Sequence, residues 1–187
     1  MLAKKPRKIT QRLSSVTNAF VQAVLPRTAL SLAELAELRV LLEQDADADW
    51  CCVYCGAKAT EWDHLQPLVV ARRPSGNLNS FGNLVPACGP CNHSKGAQPW
   101  RIWMVGEARN SPARRGITDL DFRIARLGRY ERRSAGALDL AALFDPEDYR
   151  RYWTLLDSIE KLMRESQILA EKLRDDVEEK LVCSRNL

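Results

Sequence analysis

Leucines 32, 35, 38 and 42 recur at the alternating three-and-four spacing of one helical face. The stretch opens on Ser31-Leu32-Ala33-Glu34, a capping box in which the serine and the glutamate satisfy amides at the helix start. The pattern predicts a helix from Leu32 to about Gln44, ended by the polar run from Asp45 to Asp49. Ile117, Leu120, Ile124 and Leu127 predict another, with Arg123, Arg126 and Arg133 off the apolar stripe. Asp145 as N-cap and Pro146 at the first helical position open a third, which reads as one long helix to Val182. Between the first two the periodicity is lost. From Trp50 to Gly96 the apolar runs are short, Leu65 to Val70 and Asn83 to Ala87, broken by Gly, Pro and Asn. That block predicts short strands and loops around a bound metal, followed by a short helix starting at Pro99. The expected fold class is α+β, a small metal-braced core flanked by helices.

Composition places few further limits. The chain has 187 residues, 45% hydrophobic and 28% charged, an ordinary globular balance. We expect three segments: a basic arm and helix over 1–48, the metal-bearing core over 49–106, and a helical region over 107–187. No apolar run approaches the roughly 18 residues of a membrane span. The basic start, Lys4-Lys5-Pro6-Arg7-Lys8, leads into polar residues and not into the apolar stretch of a secretion signal. A cytoplasmic location is expected, and with it reduced cysteines. Net charge is +4, but Arg101 to Arg133 holds nine arginines against four acidic residues, which suits a polyanion partner.

The cysteines carry the first chemistry. Cys52 and Cys55 form one C-x-x-C pair, Cys88 and Cys91 another. Two such pairs present four thiolates tetrahedrally, the arrangement of a structural zinc site with no position open to water. Cys51 would make a looser C-x-x-x-C with Cys55, so Cys52 is the expected ligand. Cys183 has no partner in sequence and reads as an idle thiol. A thioredoxin-type role for Cys88-Gly89-Pro90-Cys91 lacks the βαβ pattern it needs.

Between and around these pairs stand Asp63-His64-Leu65-Gln66-Pro67, then Asn83-Leu84, then Asn92 and Lys95-Gly96. In this order the elements resemble the HNH, or ββα-metal, nucleases, over Cys52 to Gly96. The resemblance implies a ββα-metal core with His64 as general base. It implies Asp63 and Asn92 as ligands of a catalytic divalent ion, and Asn83 as the asparagine that orients the base and its loop. Asn92 stands where the motif often ends in histidine, making this an H-N-N variant. An amide oxygen suits a hard cation, Mg²⁺ or Mn²⁺. His93 is the alternative ligand, but one step along a helix turns a side chain by about 100°, which favours Asn92. Lys95, Arg114, Arg115, Arg123 and Arg126 are expected at phosphates.

The run from Asn83 to Gly96, with Trp100 and Trp103 after it, is most similar to the core of HNH-type type II restriction endonucleases. That resemblance implies cleavage of a short duplex DNA sequence to 5′-phosphate and 3′-hydroxyl ends. It also suggests a homodimer, for which Leu155, Ile159, Leu162, Leu169 and Leu173 offer a four-three seam interrupted by Ser166. The alternatives are a homing or phage-type nicking enzyme and a non-catalytic zinc-stabilised DNA-binding module.

Overall fold

The computed structural model describes residues 6–26, 29–134 and 136–185, with side chains to 181 in the last helix. Met1 to Lys5 of the expected basic arm and the Cys183 side chain lie outside the described residues. Two compact units are present, Met1–Ala23 with Ala141–Leu187, and Val24–Leu140.

In chain order, a 3-10 turn at Ile9–Arg12 leads into α1 (Leu13–Val24), and α2 covers Leu32–Leu41. Four short strands follow, β1 (Glu61–His64), β2 (Val69–Val70), β3 (Arg73–Pro74) and β4 (Leu84–Ala87). Then come α3 (Gly89–Lys95), α4 (Trp100–Val105), α5 (Leu120–Glu131), a 3-10 turn at Leu140–Leu143 and α6 (Pro146–Arg185). The class is α+β, as expected. Among the described residues, no helix is long and apolar enough to cross a membrane.

In the first unit, α1 lies on one face of α6. Thr17 donates to Glu160 at 2.8 Å, and the Tyr152 hydroxyl donates to the Phe20 carbonyl at 3.0 Å, with the two rings 5.1 Å apart. The buried face of α6 is Trp153, Leu156 and Glu160. The seam residues Leu155, Ile159, Leu162, Leu169 and Leu173 are all exposed. The Asp145 carboxylate accepts from the amides of Glu147 and Asp148, so it caps α6 as its position predicts.

In the second unit, β1 and β4 pair antiparallel with Asp63 opposite Val85 and His64 opposite Leu84, and α3 follows β4 after Cys88. This is the ββα arrangement. Strands this short cannot stand alone; they are held by a core that draws on both flanks. Leu38 and Leu42 from the α2 side, Tyr54, Leu65, Val85, Trp100, Trp103 and Met104, and Leu127 and Tyr130 of α5 are all fully buried in one cluster. The cluster therefore extends past the 49–106 segment in both directions. Helix α2 stops at Leu41, before the expected Gln44, because Glu43 turns to φ +51. Helix α5 begins at Leu120, leaving Ile117 in the turn before it.

Candidate metal centre and active site

The Sγ atoms of Cys52, Cys55, Cys88 and Cys91 all lie within 4.8 Å of one another. The Cys55–Cys88 pair is 3.7 Å apart. A tetrahedron with bonds of about 2.3 Å to zinc has sulfur–sulfur edges of about 3.8 Å, so the donor set fits a structural zinc. Each pair is a tight knuckle. The Gly56 amide returns to the Cys52 carbonyl at 2.8 Å with Gly56 at φ +81, a conformation that favours glycine. Cys88 caps α3, and its carbonyl accepts from the Cys91 and Asn92 amides. Cys51 is exposed and outside the cluster.

Three of the arginines expected at phosphates make contacts within this centre. Arg126 is buried, and it and Arg123 both point at the Val53 carbonyl inside the first knuckle, each at 3.4 Å. Arg123 is also paired with Asp119 at 2.8 Å. Burial pushes the Arg126 guanidinium below its ordinary pKa, and the neighbouring Arg123 charge adds to this. Arg115 donates to the Cys91 sulfur at 3.5 Å. Arg114 remains exposed, paired with Glu107 at 2.9 Å. A cation donating to a ligand thiolate offsets the negative charge of a four-thiolate site. Arg115→Ala is expected to weaken zinc about 10–100-fold, measured by competition with a chromophoric chelator, while Arg114→Ala leaves it unchanged.

Lys95 also departs from expectation. It is only 1% exposed, and its ammonium sits 3.2 and 3.1 Å from the two carboxylate oxygens of Asp63 and 2.7 Å from the His64 carbonyl. The Tyr54 hydroxyl donates to Asp63 Oδ2 at 2.7 Å. Lys95 is thus the internal partner of Asp63. Burial lowers its pKa, opposed by the Asp63 charge. The same burial, with the Asp63 charge and hydrogen bond, holds the Tyr54 phenol well above its ordinary value, so it stays a donor. Lys95→Met strips a buried carboxylate of its cation, and a loss of about 3–5 kcal/mol is expected, read as a lowered denaturation midpoint.

Strand alternation puts Glu61 and Asp63 on one face of β1. Asn92 and Lys95, three apart on α3, share the face that meets it. Lys95 reaches Asp63, and Asn92 Nδ2 donates to Glu61 Oε2 at 2.6 Å. That bond leaves the Asn92 Oδ1 without a donor among the described residues. A carboxylate offers about four acceptor positions; Tyr54 and Lys95 occupy three on Asp63. On β1 and α3 there are therefore one open carboxylate lone pair, on Asp63, and one open amide oxygen, on Asn92, donor types that fit a hard divalent cation. His93 is exposed, with its ring 3.6 Å from Glu61 Oε1.

His64, the last residue of β1, directs its ring the other way, its Nε2 3.0 Å from Asn79 Oδ1. Burial pulls its pKa below 6.5; the Asn79 bond and the Asp63 charge oppose this, and Lys95 reinforces it. Asn83 does not touch the ring. Its Oδ1 accepts from the Gln66 amide at 2.7 Å, and its Nδ2 donates to the carbonyls of Gln66 and Leu78, at 3.2 and 2.9 Å. It clamps the segment after β1 to the segment before β4.

The family model described as HNH endonuclease matches residues 52–98, from the first zinc-type cysteine to just past α3. The match takes in both cysteine pairs, β1, β4 and α3. Over 56 residues, 28% of this chain, the sequence is 43% identical to the CRISPR-associated endonuclease Cas9 of Corynebacterium diphtheriae. That stretch is only 5% of the length of the relative. No solved structure matches.

In the matched segment, sequence reasoning missed Tyr54, Glu61 and Asn79. Glu61 had a signal, two residues before Asp63 on the same strand face. Tyr54 sits inside the first C-x-x-C, where its aromatic ring reads as core. Asn79 lies in an irregular segment with no motif around it.

Proposed function

We propose that the protein is a metal-dependent DNA endonuclease that hydrolyses phosphodiester bonds to 5′-phosphate and 3′-hydroxyl ends. The observation that carries this is His64. The ring, favoured in its neutral form, stands at the end of a strand whose previous residue is Asp63, and Asn92 of α3 is bonded to Glu61 of the same strand. In this reading His64 accepts a proton from the attacking water. The water oxygen bonds to phosphorus, the bond to the 3′ oxygen breaks, and that oxygen takes a proton from solvent. Asp63 and Asn92 would hold Mg²⁺ or Mn²⁺, which when bound would supply neutralisation of the charge that develops on the phosphodiester. Tyr54 and Lys95 keep the Asp63 carboxylate ionised and fixed. Asn83 fixes the backbone on both sides of the base. Zinc supplies the frame, and a site of free thiolates suits the cytoplasm.

We further propose a type II restriction endonuclease acting on duplex DNA as a homodimer, since two strands need two sites. The exposed apolar seam on α6 supports the dimer, because the buried face of α6 leaves that seam unused. The similarity to the CRISPR-associated endonuclease favours neither this nor a nicking enzyme. The test is supercoiled plasmid with Mg²⁺. Discrete linear fragments support restriction, open circles alone mean nicking, and a gel shift with uncut DNA means a binding module. Sedimentation of the full chain at micromolar concentration tests the dimer; a monomer would remove it.

A further inference from the structure

The contact that fixes the His64 ring comes from a residue outside every motif. Asn79 Oδ1 lies 3.0 Å from His64 Nε2. Among the described residues no partner meets Nδ1. The two tautomers therefore have different consequences. If Nε2 carries the proton, it donates to the Asn79 oxygen, and Nδ1 keeps a lone pair able to take a proton. If Nδ1 carries the proton, the Asn79 side chain must turn its NH₂ toward Nε2. Both ring nitrogens are then used up, and the Nδ1 proton on a half-buried ring has no acceptor. The first arrangement uses the Asn79 oxygen as it is placed, 3.0 Å from Nε2, and leaves only an acceptor unpaired at Nδ1, where a water can donate; the second must turn the amide over and leaves a donor unpaired.

The surroundings hold Asn79 in place. The Asn83 amide donates to the carbonyl of Leu78, immediately before Asn79, and grips both polar groups of Gln66, two residues beyond His64. The Gly82 amide donates to the Tyr130 hydroxyl at 2.9 Å, which in turn donates to the Leu84 carbonyl at 2.8 Å. Gly82 sits at φ +88, and a Cβ there would meet the Ser134 backbone at 2.6 Å, so this turn accepts no side chain. The loop that delivers Asn79 is thus tied at both ends.

We infer that Asn79 is the positioning residue for His64, accepting a hydrogen bond from Nε2–H so that Nδ1 is the nitrogen presented to the water. The catalytic half of this statement rests on the endonuclease reading; the tautomer does not. Asn83 then sets the spacing of the two backbone segments, and Asn79 converts that spacing into a ring orientation.

The test uses the zinc-loaded full chain with ¹⁵N-labelled histidine, at a pH where the ring is neutral. The chain has two histidines, so the His64 signals are those absent from His64→Ala. Wild type is expected to show a pyrrole-type Nε2 and a pyridine-type Nδ1. Asn79→Asp, which can only accept, is expected to keep that pattern, and Asn79→Ala to give a mixture of tautomers at unchanged zinc content. On DNA, Asn79→Ala is expected to lower kcat about 100-fold with KM unchanged, and Asn79→Asp to restore most of it. A protonated Nδ1 in wild type overturns the inference, as does an Asn79→Ala spectrum identical to wild type. If wild type shows the expected tautomer but cleaves no DNA, the endonuclease reading fails and the role of Asn79 in setting the ring survives.

Discussion

His64→Ala is expected to lower the cleavage rate by about 10²–10⁴-fold, with DNA binding and zinc content intact. The magnitude follows from what the ring does in the proposed reaction. It is the proton acceptor for the water, and no second base stands ready. His93 is exposed on α3 beside Glu61, while the Asp63 carboxylate is held by Tyr54 and Lys95 with its remaining lone pair assigned to the metal. The fold should not change, because the ring makes one side-chain hydrogen bond and is only partly buried. The pH dependence carries a sign. Burial lowers the pKa of His64 below 6.5, favouring the neutral form. The base thus stays competent as pH falls through the ordinary histidine range, and the acid limb of the rate profile is expected below pH 6.5. The limb should vanish in His64→Ala. A variant that cuts as fast as wild type would remove His64 from the mechanism, and an acid limb at or above the ordinary value would contradict the buried, neutral ring.

The parts of this molecule that the sequence reveals are those whose physics is local. C-x-x-C spacing states a turn that aims two sulfurs at one point, and both knuckles form. A capping box and a capping aspartate before proline mark the starts of α2 and α6, and both begin there. Helix α1 is harder. Leu13, Val16, Phe20 and Val24 lie on one face, but Ser14, Ser15, Thr17 and Asn18 are weak helix formers. The helix is secured by its contacts with α6, from the far end of the chain. Charged residues are harder still. Lys95 and the α5 arginines look like phosphate contacts because a sequence shows charge but not its partner. The partner of Lys95 is Asp63, and that of Arg126 is the Val53 carbonyl. Helix α5 also turns so that Arg126 is buried while Phe122 stays half exposed. In a small core built on a metal, long cationic side chains are also structural members, a role that sequence does not display. The resemblance pointed to Asn83 for orienting the base, yet the contact to the ring comes from Asn79, in a loop whose shape depends on Tyr130 of α5.

Removing the metal is expected to unfold the Val24–Leu140 unit. Cys52 and Cys55 precede β1, and Cys88 and Cys91 follow β4, so one ion ties together the two ends of the ββα element. What it ties is weak without it. The paired strands have four residues each and α3 has seven, far below the roughly 12–15 residues at which an isolated helix becomes marginal. Structural zinc contributes an apparent ~10–16 kcal/mol at neutral pH, against a total stability of about 5–15 kcal/mol for a typical domain. Losing it exceeds what the core can supply. Chelation should therefore shift tryptophan emission to the red as Trp100 and Trp103, both fully buried, meet water. Cys91→Ser should reproduce the effect, and Cys51→Ser, outside the cluster, should not. Acid should ease the release. Without metal, the hydrogen bond that the Cys52 thiol donates to Cys55, together with burial, pushes that thiol up to about 12, so zinc must displace protons to bind. Each fall in pH favours those protons, and the chelator concentration needed for unfolding should drop with it. An unchanged emission spectrum after complete zinc removal would mean that the apolar cluster, and not the ion, holds the nuclease core together.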